Sequence, residues 1–276
     1  MNNVFEMIKA MIYGIVEGIT EWLPVSSTGH LILLEQLLPL NVSEDFMSMF
    51  DVVIQLGAIM AVVLLFWKKI WPFRRQKPIV EKNTMIMWVK ILVACIPAAV
   101  VGLAFDDFFE AHFYNHICVA IMLILFGIAF IIVERRNQSH SATITTLEAL
   151  DYKTVILIGV FQLIAAVFPG TSRSGATIVG ALLLGVSREV AAEFTFFLAI
   201  PVMFGASLLK MVKFVAGGNA LAMNEWAIIG VAMVTAFLVS VFVIRFLMDY
   251  IKKHDFTVFG WYRIVLGIIV LAVYLF

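Results

Sequence analysis

Glu17-Gly-Ile-Thr-Glu21-Trp-Leu-Pro24-Val-Ser26-Ser27-Thr28-Gly29-His30 is a polar island inside apolar sequence. A second island, Gln162-Leu-Ile-Ala-Ala-Val-Phe-Pro169-Gly-Thr171-Ser172-Arg173-Ser174-Gly-Ala-Thr177, repeats its outline. With Pro24 laid over Pro169, Ser27 falls on Ser172 and Glu17 on Gln162. The flanks repeat as well. A medium apolar run (4–23, then 154–168) leads to a polar break at the proline, and a short run (31–40, then 178–186) follows. Residues 4–23 are long enough to span but carry Glu17 and Glu21 near their end; half-length helices joined by a polar turn predict re-entrant helical hairpins. Such backbone is tolerated at membrane depth only where protein buries it or water reaches it.

The wider chain supports a membrane setting. Of 276 residues, 63% are hydrophobic and only 14% charged, with mean hydropathy +1.03; a soluble domain carries about a quarter charged residues. Six segments reach the spanning length, at 50–67, 86–104, 117–133, 193–209, 226–248 and 259–276. The expected fold is therefore an all-α polytopic membrane protein with six transmembrane helices and two re-entrant hairpins. Formal net charge is zero, so no bulk electrostatic attraction to nucleic acid is expected. Lys9 stands alone near the N-terminus, without a basic cluster or a small-residue cleavage site, so the first apolar stretch is expected to be retained. Cys95 and Cys118 lie in apolar runs without paired spacing and read as inert core residues.

The repeat continues beyond the islands. The run from Phe50 lies over that from Phe194, 89–104 over 233–248, and 117–133 over 261–276. Residues 1–276 thus form one membrane domain of two repeats, about 1–140 and about 150–276, each a hairpin plus three spans. An odd number of spans turns the second repeat upside down, which gives the inverted-topology plan that builds sites near the midplane from broken helices. Charge sets the orientation. Lys68, Lys69, Arg74, Arg75, Lys77 and Lys82 place the 68–82 loop in the cytoplasm, and Asp106, Asp107 and Glu110 place the 105–116 loop outside. Arg135, Arg136, Lys153, Arg188, Arg245, Lys252 and Lys253 then fall inside, with only Lys210 and Lys213 against the rule. Both termini come out external, and the hairpins dip in from opposite sides so that their tips can meet.

Glu17 and Glu21 are four residues apart, on one helix face. Side by side in a low dielectric, two carboxylates must share a proton or a cation. Mg²⁺ or Ca²⁺ suits their oxygens and bridges to phosphate; the alternative is a solvated helix end at the membrane surface. Ser26-Ser27-Thr28-Gly29 reads as the N-cap and first turn of a short helix, where free N–H groups favour an anion, or merely as a cap. His30, within a turn of Ser27, is a candidate general acid or base, against a purely structural role.

The second island supplies the complement. Pro169-Gly170 permits a sharp turn, Thr171 and Ser172 can cap the helix that follows, and Arg173 sits in its first turn. A cation at a helix N-terminus is unfavourable unless an anion is bound there, and a guanidinium matches phosphate oxygens as a fork. It also stabilises the charge on a transferring phosphoryl group. The alternative is a salt bridge to Glu17 or Glu21. Ser174 and Thr177 add hydrogen-bonding capacity. Asp51, Gln55, Gln162 and Glu193 lie at a similar depth, as supporting groups or as ordinary interhelical hydrogen-bonders.

The Glu17-x-x-x-Glu21 pair, Ser26-Ser-Thr-Gly-His30 and Pro169-Gly-Thr-Ser-Arg-Ser-Gly-Ala-Thr177 resemble the signatures of the undecaprenyl-diphosphate phosphatases, the bacitracin-resistance family. The resemblance covers essentially the whole chain. It implies a multi-pass enzyme of the bacterial inner membrane, open to the periplasmic side, that hydrolyses a C55 lipid diphosphate to the monophosphate carrier of cell-wall synthesis. It also implies metal dependence and functional roles for Glu17, Glu21, Ser27, His30 and Arg173.

The residues and the resemblance together predict phosphoanhydride hydrolysis. Glu21, Ser27, His30 and Arg173 are the catalytic set, with Ser27 the favoured nucleophile, activated by His30 or Glu21, and direct attack by water as the other route. Ser26, Thr28, Thr171, Ser172, Ser174 and Thr177 are the substrate contacts, and Glu17 and Glu21 the ligands of a divalent cation, Mg²⁺ or Ca²⁺. A lipid diphosphate and the membrane are the expected partners; oligomeric state is open, a homodimer included. The rival class is a transporter or flippase of an anionic isoprenoid lipid, since inverted repeats also serve transport.

Overall fold

A computed structural model describes residues 2–74 and 79–275 of the chain; Arg75 and Lys77 of the basic loop, and Phe276 at the end of the last expected span, lie outside them. The elements are all helices: α1 (Asn2–Thr20), α2 (Ser27–Leu37), α3 (Glu44–Val53), α4 (Gln55–Leu65), α5 (Trp67–Ile70), α6 (Lys82–Phe113), α7 (His116–Asn137), α8 (Tyr152–Val167), α9 (Arg173–Leu183), α10 (Arg188–Ala216), α11 (Met223–Tyr250) and α12 (Thr257–Leu275). Among the described residues, extended pairing is limited to isolated bridges, Phe73 with Val80 and Ile144 with Val186.

Six helical stretches are long and apolar enough to cross a membrane: Glu44–Leu65, Lys82–Gly102, His116–Asn137, Arg188–Ala216, Met223–Tyr250 and Thr257–Tyr274. Each overlaps one expected segment. The first starts earlier than 50, because Ser43 caps α3 by accepting from the Phe46 amide at 3.2 Å. The larger difference is at 105–116, expected as a loop. There α6 kinks at Phe105 (φ −131°, ψ 15°) and then winds on to Phe113. Phe105, Phe109 and Phe113 stack one turn apart, with ring centroids 6.0 and 6.3 Å apart, and this aromatic ridge keeps the segment helical. Phe113 ends against Phe168, 4.9 Å away, at the second break.

The half-length helices are held by close backbone packing. α1 lies on α11, where a Cβ at Gly14 would come within 2.4 Å of the Ala232 carbonyl oxygen and one at Gly18 within 2.8 Å of that of Ala236. α8 lies on α6 in the same way, with Gly159 against the carbonyl of Ala94. Small residues of this kind let helices approach where lipid offers no hydrophobic drive between them. α8 starts where the Asp151 carboxylate accepts from the Thr154 amide at 2.7 Å; hydrogen bonding from the Thr154 side chain and then from its amide holds that carboxyl below its usual range.

The core gathers around α9 and α10, where Phe194, Phe196, Phe197 and Ile178 are buried, and between α1, α3 and α11 around Tyr13, Phe46, Phe50 and Ile228. The outward faces of the spans expose Val100, Ile132, Leu208 and Phe242, the surface a bilayer requires. α9 is wrapped by α7, α8 and α10 and buries every residue from Ser174 to Leu182, whereas α2 buries only Ser27, Gly29 and Leu31.

Candidate active site

Both breaks use one backbone device. After α1 the chain turns through residues 21–26, and Ser26 takes φ 74° with its hydroxyl accepting from the Gly29 amide at 3.3 Å. After α8 it turns through Gly170 (φ 86°), and Ser172 takes φ 67° with its hydroxyl accepting from the Gly175 amide at 3.1 Å. These serines are the only non-glycine residues with positive φ among the described residues. A left-handed L-residue costs about 1 kcal/mol or more, which the cap offsets. The caps pair Ser26 with Ser172 and Gly29 with Gly175, one residue out of the register that overlays Pro24 on Pro169. Between proline and cap the second turn holds one residue more, so Ser27 matches Arg173 and not Ser172.

One side chain of α12 reaches both turns. Arg263, fully buried on α12, donates from Nη1 to the Pro24 carbonyl at 3.2 Å and from Nη2 to the carbonyls of Gly170 at 2.9 Å and Thr171 at 2.7 Å. Its guanidinium also lies over the Phe126 ring, 5.9 Å from the centroid. Sequence reasoning passed over this residue. The available signal was an arginine inside the last apolar run, near its start, since an intramembrane charge is functional by default.

The islands meet. Arg173 Nη2 donates to Glu21 Oε1 at 2.6 Å, and its Nη1 donates to the Thr195 carbonyl at 3.2 Å. Ser27 Oγ donates to Glu21 Oε2 at 2.7 Å, and Ser174 Oγ donates to the Glu21 backbone carbonyl at 3.1 Å. Glu21 thus accepts from the nucleophile candidate and from the arginine at once, and the anticipated Arg173 salt bridge is part of the same constellation. His30 lies apart from the Ser27 hydroxyl's bond. Its Nδ1 is 2.7 Å from the Ser26 carbonyl oxygen and its Nε2 is 2.7 Å from the hydroxyl of Tyr262, another residue that sequence reasoning missed.

The remaining expected residues divide. Thr177 pairs with the Thr195 hydroxyl at 2.8 Å and donates to the Arg173 carbonyl, so it braces α9. Ser172 lies 3.1 Å from Ser174, hydroxyl to hydroxyl. Thr28 is exposed, and the buried Thr171 hydroxyl has no hydrogen-bond partner. Gln162 is buried with both amide atoms unpartnered; Asp51 has one buried unpartnered oxygen, and Gln55 donates to its backbone carbonyl. Glu193 turns away from the site to Lys69, 2.5 Å from it, so it gives no support there. Cys95 and Cys118 are free and half-buried; Cys95 packs against the main core, as expected, whereas Cys118 lies outside the core clusters.

Glu17 is fully buried, and both its carboxylate oxygens lack a hydrogen-bond partner. Among the described residues, no three His, Cys, Asp or Glu side chains group as a ligand cage. Two carboxylates one helical turn apart nonetheless match the habit of Mg²⁺, which takes one or two carboxylates and completes its shell with water and substrate phosphate.

Comparison with known proteins then decides the family. The chain matches the model of the bacitracin resistance protein BacA over residues 10–269. It belongs to this family. A curated relative from Desulfitobacterium hafniense, named undecaprenyl-diphosphatase, is 61% identical over 267 residues, covering 96% of this chain and 95% of its own. Undecaprenyl-diphosphatases of Enterococcus faecalis (58% identical, 97% of both chains) and Acetivibrio thermocellus (57%, 99% of both) are similar along their whole length.

Proposed function

We propose that this protein is an undecaprenyl-diphosphatase, which hydrolyses undecaprenyl diphosphate to undecaprenyl phosphate and inorganic phosphate and so recycles the lipid carrier of cell-wall synthesis. Near-full-length similarity to enzymes of that name supports the substrate. The observation that carries the chemistry is the buried Ser27–Glu21–Arg173 chain, with links of 2.7 and 2.6 Å, which joins the two breaks.

Ser27 Oγ attacks the terminal phosphorus. The Oγ–P bond forms, the bridging P–O bond breaks, and the hydroxyl proton passes to Glu21 Oε2, its hydrogen-bond acceptor. Undecaprenyl phosphate leaves, and water hydrolyses the phosphoserine with His30 as base. Arg173 transfers from Glu21 to the phosphoryl oxygens and offsets the charge that develops there. Glu17 and Glu21 would hold a divalent cation, Mg²⁺ or Ca²⁺, which supplies further neutralisation of the diphosphate. Ser26, Thr171, Ser172 and Ser174 border the phosphate site through the two cap turns, Thr28 faces the opening, and Thr177 holds the helix that carries Arg173.

The architecture is an inverted repeat with two re-entrant hairpins, α1–α2 and α8–α9, and halves about 1–140 and about 150–276. Exchanging the halves turns the α1–α11 packing into α8–α6, α1–α2 into α8–α9, and α2–α12 into α9–α7, which supports this plan. The exposed face of α2 supports a site that opens to the periplasmic side of the bacterial inner membrane. A nucleophile already hydrogen-bonded to a carboxylate favours hydrolysis over lipid transport, because a binding site has no need of it.

The test is phosphate release from undecaprenyl diphosphate by purified protein in detergent, where no two compartments exist. Wild type is expected to turn over, to stop on chelation and to resume when Mg²⁺ or Ca²⁺ returns. Ser27→Ala is expected to lose about 10³-fold or more, and acid quench of wild type to reveal phosphate on Ser27. Lipid movement in vesicles without phosphate release would overturn the proposal.

A further inference from the structure

The ring of His30 is fixed at both nitrogens. The Ser26 carbonyl can only accept, so Nδ1 carries the proton in the neutral ring, and Nε2 presents its lone pair. That lone pair faces the Tyr262 hydroxyl at 2.7 Å. The two rings lie parallel within 7°, their centroids 5.6 Å apart. Tyr262 therefore donates to neutral His30. If His30 takes a proton at Nε2, the hydroxyl must turn and accept, which frees its own hydrogen for another acceptor.

Tyr262 is not an incidental neighbour. It precedes Arg263, whose guanidinium grips the carbonyls of both turns, so α12 is registered against the site to within a hydrogen bond. Arg263 is buried, whereas Tyr262 is half-exposed (47%) and leaves His30 on its open side. Ser27 gives its proton to Glu21, so Tyr262 is the side chain that meets the basic nitrogen of His30.

We propose that Tyr262 is a positioning residue for His30: its hydroxyl meets the Nε2 lone pair of the tautomer that the Ser26 carbonyl fixes, aims that nitrogen, and serves as the hydrogen-bond partner that must reverse whenever His30 gains or loses a proton. This rests on the phosphatase reading above, in which His30 takes the proton of the water that hydrolyses the phosphoserine. Removing the hydroxyl leaves the chemistry possible but the base poorly aimed, so turnover falls while substrate binding stays.

The experiment is a double-mutant cycle on the full-length protein in detergent, with undecaprenyl diphosphate as substrate. Tyr262→Phe keeps the stacked ring and is expected to lower kcat about tenfold, the kinetic equivalent of one hydrogen bond, with KM within about twofold. In a His30→Ala background the same substitution is expected to cost nothing more. The inference falls if Tyr262→Phe turns over like wild type while His30→Ala is slow, an outcome that leaves the phosphatase reading intact. It falls equally if the two losses multiply, because Tyr262 then acts on packing or on substrate without His30. Wild-type turnover by His30→Ala would remove His30 from the reaction and this inference with it, while the Ser27–Glu21–Arg173 chain stood.

Discussion

The two breaks share a serine cap and a left-handed turn, yet they sit in opposite surroundings. α9 is buried on all sides, and Arg173 projects from a helix that α7, α8 and α10 hold in place. α2 buries only Ser27, Gly29 and Leu31, and Leu37 near its end is 82% exposed. Glu21 and Ser27 are themselves buried, but with His30 they belong to the break whose helix is exposed. One break is the fixed wall of the site and the other its open side. The comparison teaches that one backbone device, used twice, can separate electrostatic clamping from nucleophilic chemistry. The clamp requires rigidity, and the nucleophile requires access for a bulky lipid.

The largest effect to be expected is on the wall. Arg173→Ala should reduce phosphate release by about 10³-fold, with Arg173→Lys recovering only part because the planar fork is lost. Turnover within tenfold of wild type in the alanine variant would end the division of labour. Next comes the group common to both breaks. Arg263→Met leaves the carbonyls of Pro24, Gly170 and Thr171 without their donor, and thermal unfolding in detergent should show a loss of about 3 kcal/mol. If unfolding is unchanged, the turns hold themselves. The smallest effect separates the caps. Ser26→Ala and Ser172→Ala should each remove about 1 kcal/mol. In buried α9 the loss should appear as a lower melting point. In exposed α2 it should appear as faster local hydrogen exchange with global melting nearly constant. Equal global effects would show α2 to be as firmly embedded as α9.

Much of this was legible before any coordinates. The six spans follow from hydropathy, and the meeting of 17–30 with 171–177 follows from two charged islands that neither lipid nor core would tolerate apart. The one-residue slip in the repeat was not legible, because adjacent serines at 26 and 27 offer two registers and only φ decides between them. The helix beyond Phe105 was hidden by acidic residues that read as a loop, while the phenylalanine ridge that overrides them needs a helix to be seen. Glu193 takes the second of its two readings, an interhelical partner, and sequence could not choose between them because depth along a span says nothing about azimuth; its carboxylate turns to Lys69. Tyr262 and Arg263 stayed unnoticed for a related reason: their partners are a ring nitrogen and main-chain carbonyls, none of which leaves a mark in the pattern of residue types.

The grip of Arg263 on residues 24, 170 and 171 also bears on biogenesis. Translation delivers both turns well before it reaches position 263. During insertion their carbonyls must be met by water or by the insertion machinery, and they exchange those partners for a guanidinium only when α12 docks. The two turns therefore reach their final hydrogen bonding only when the last helix docks.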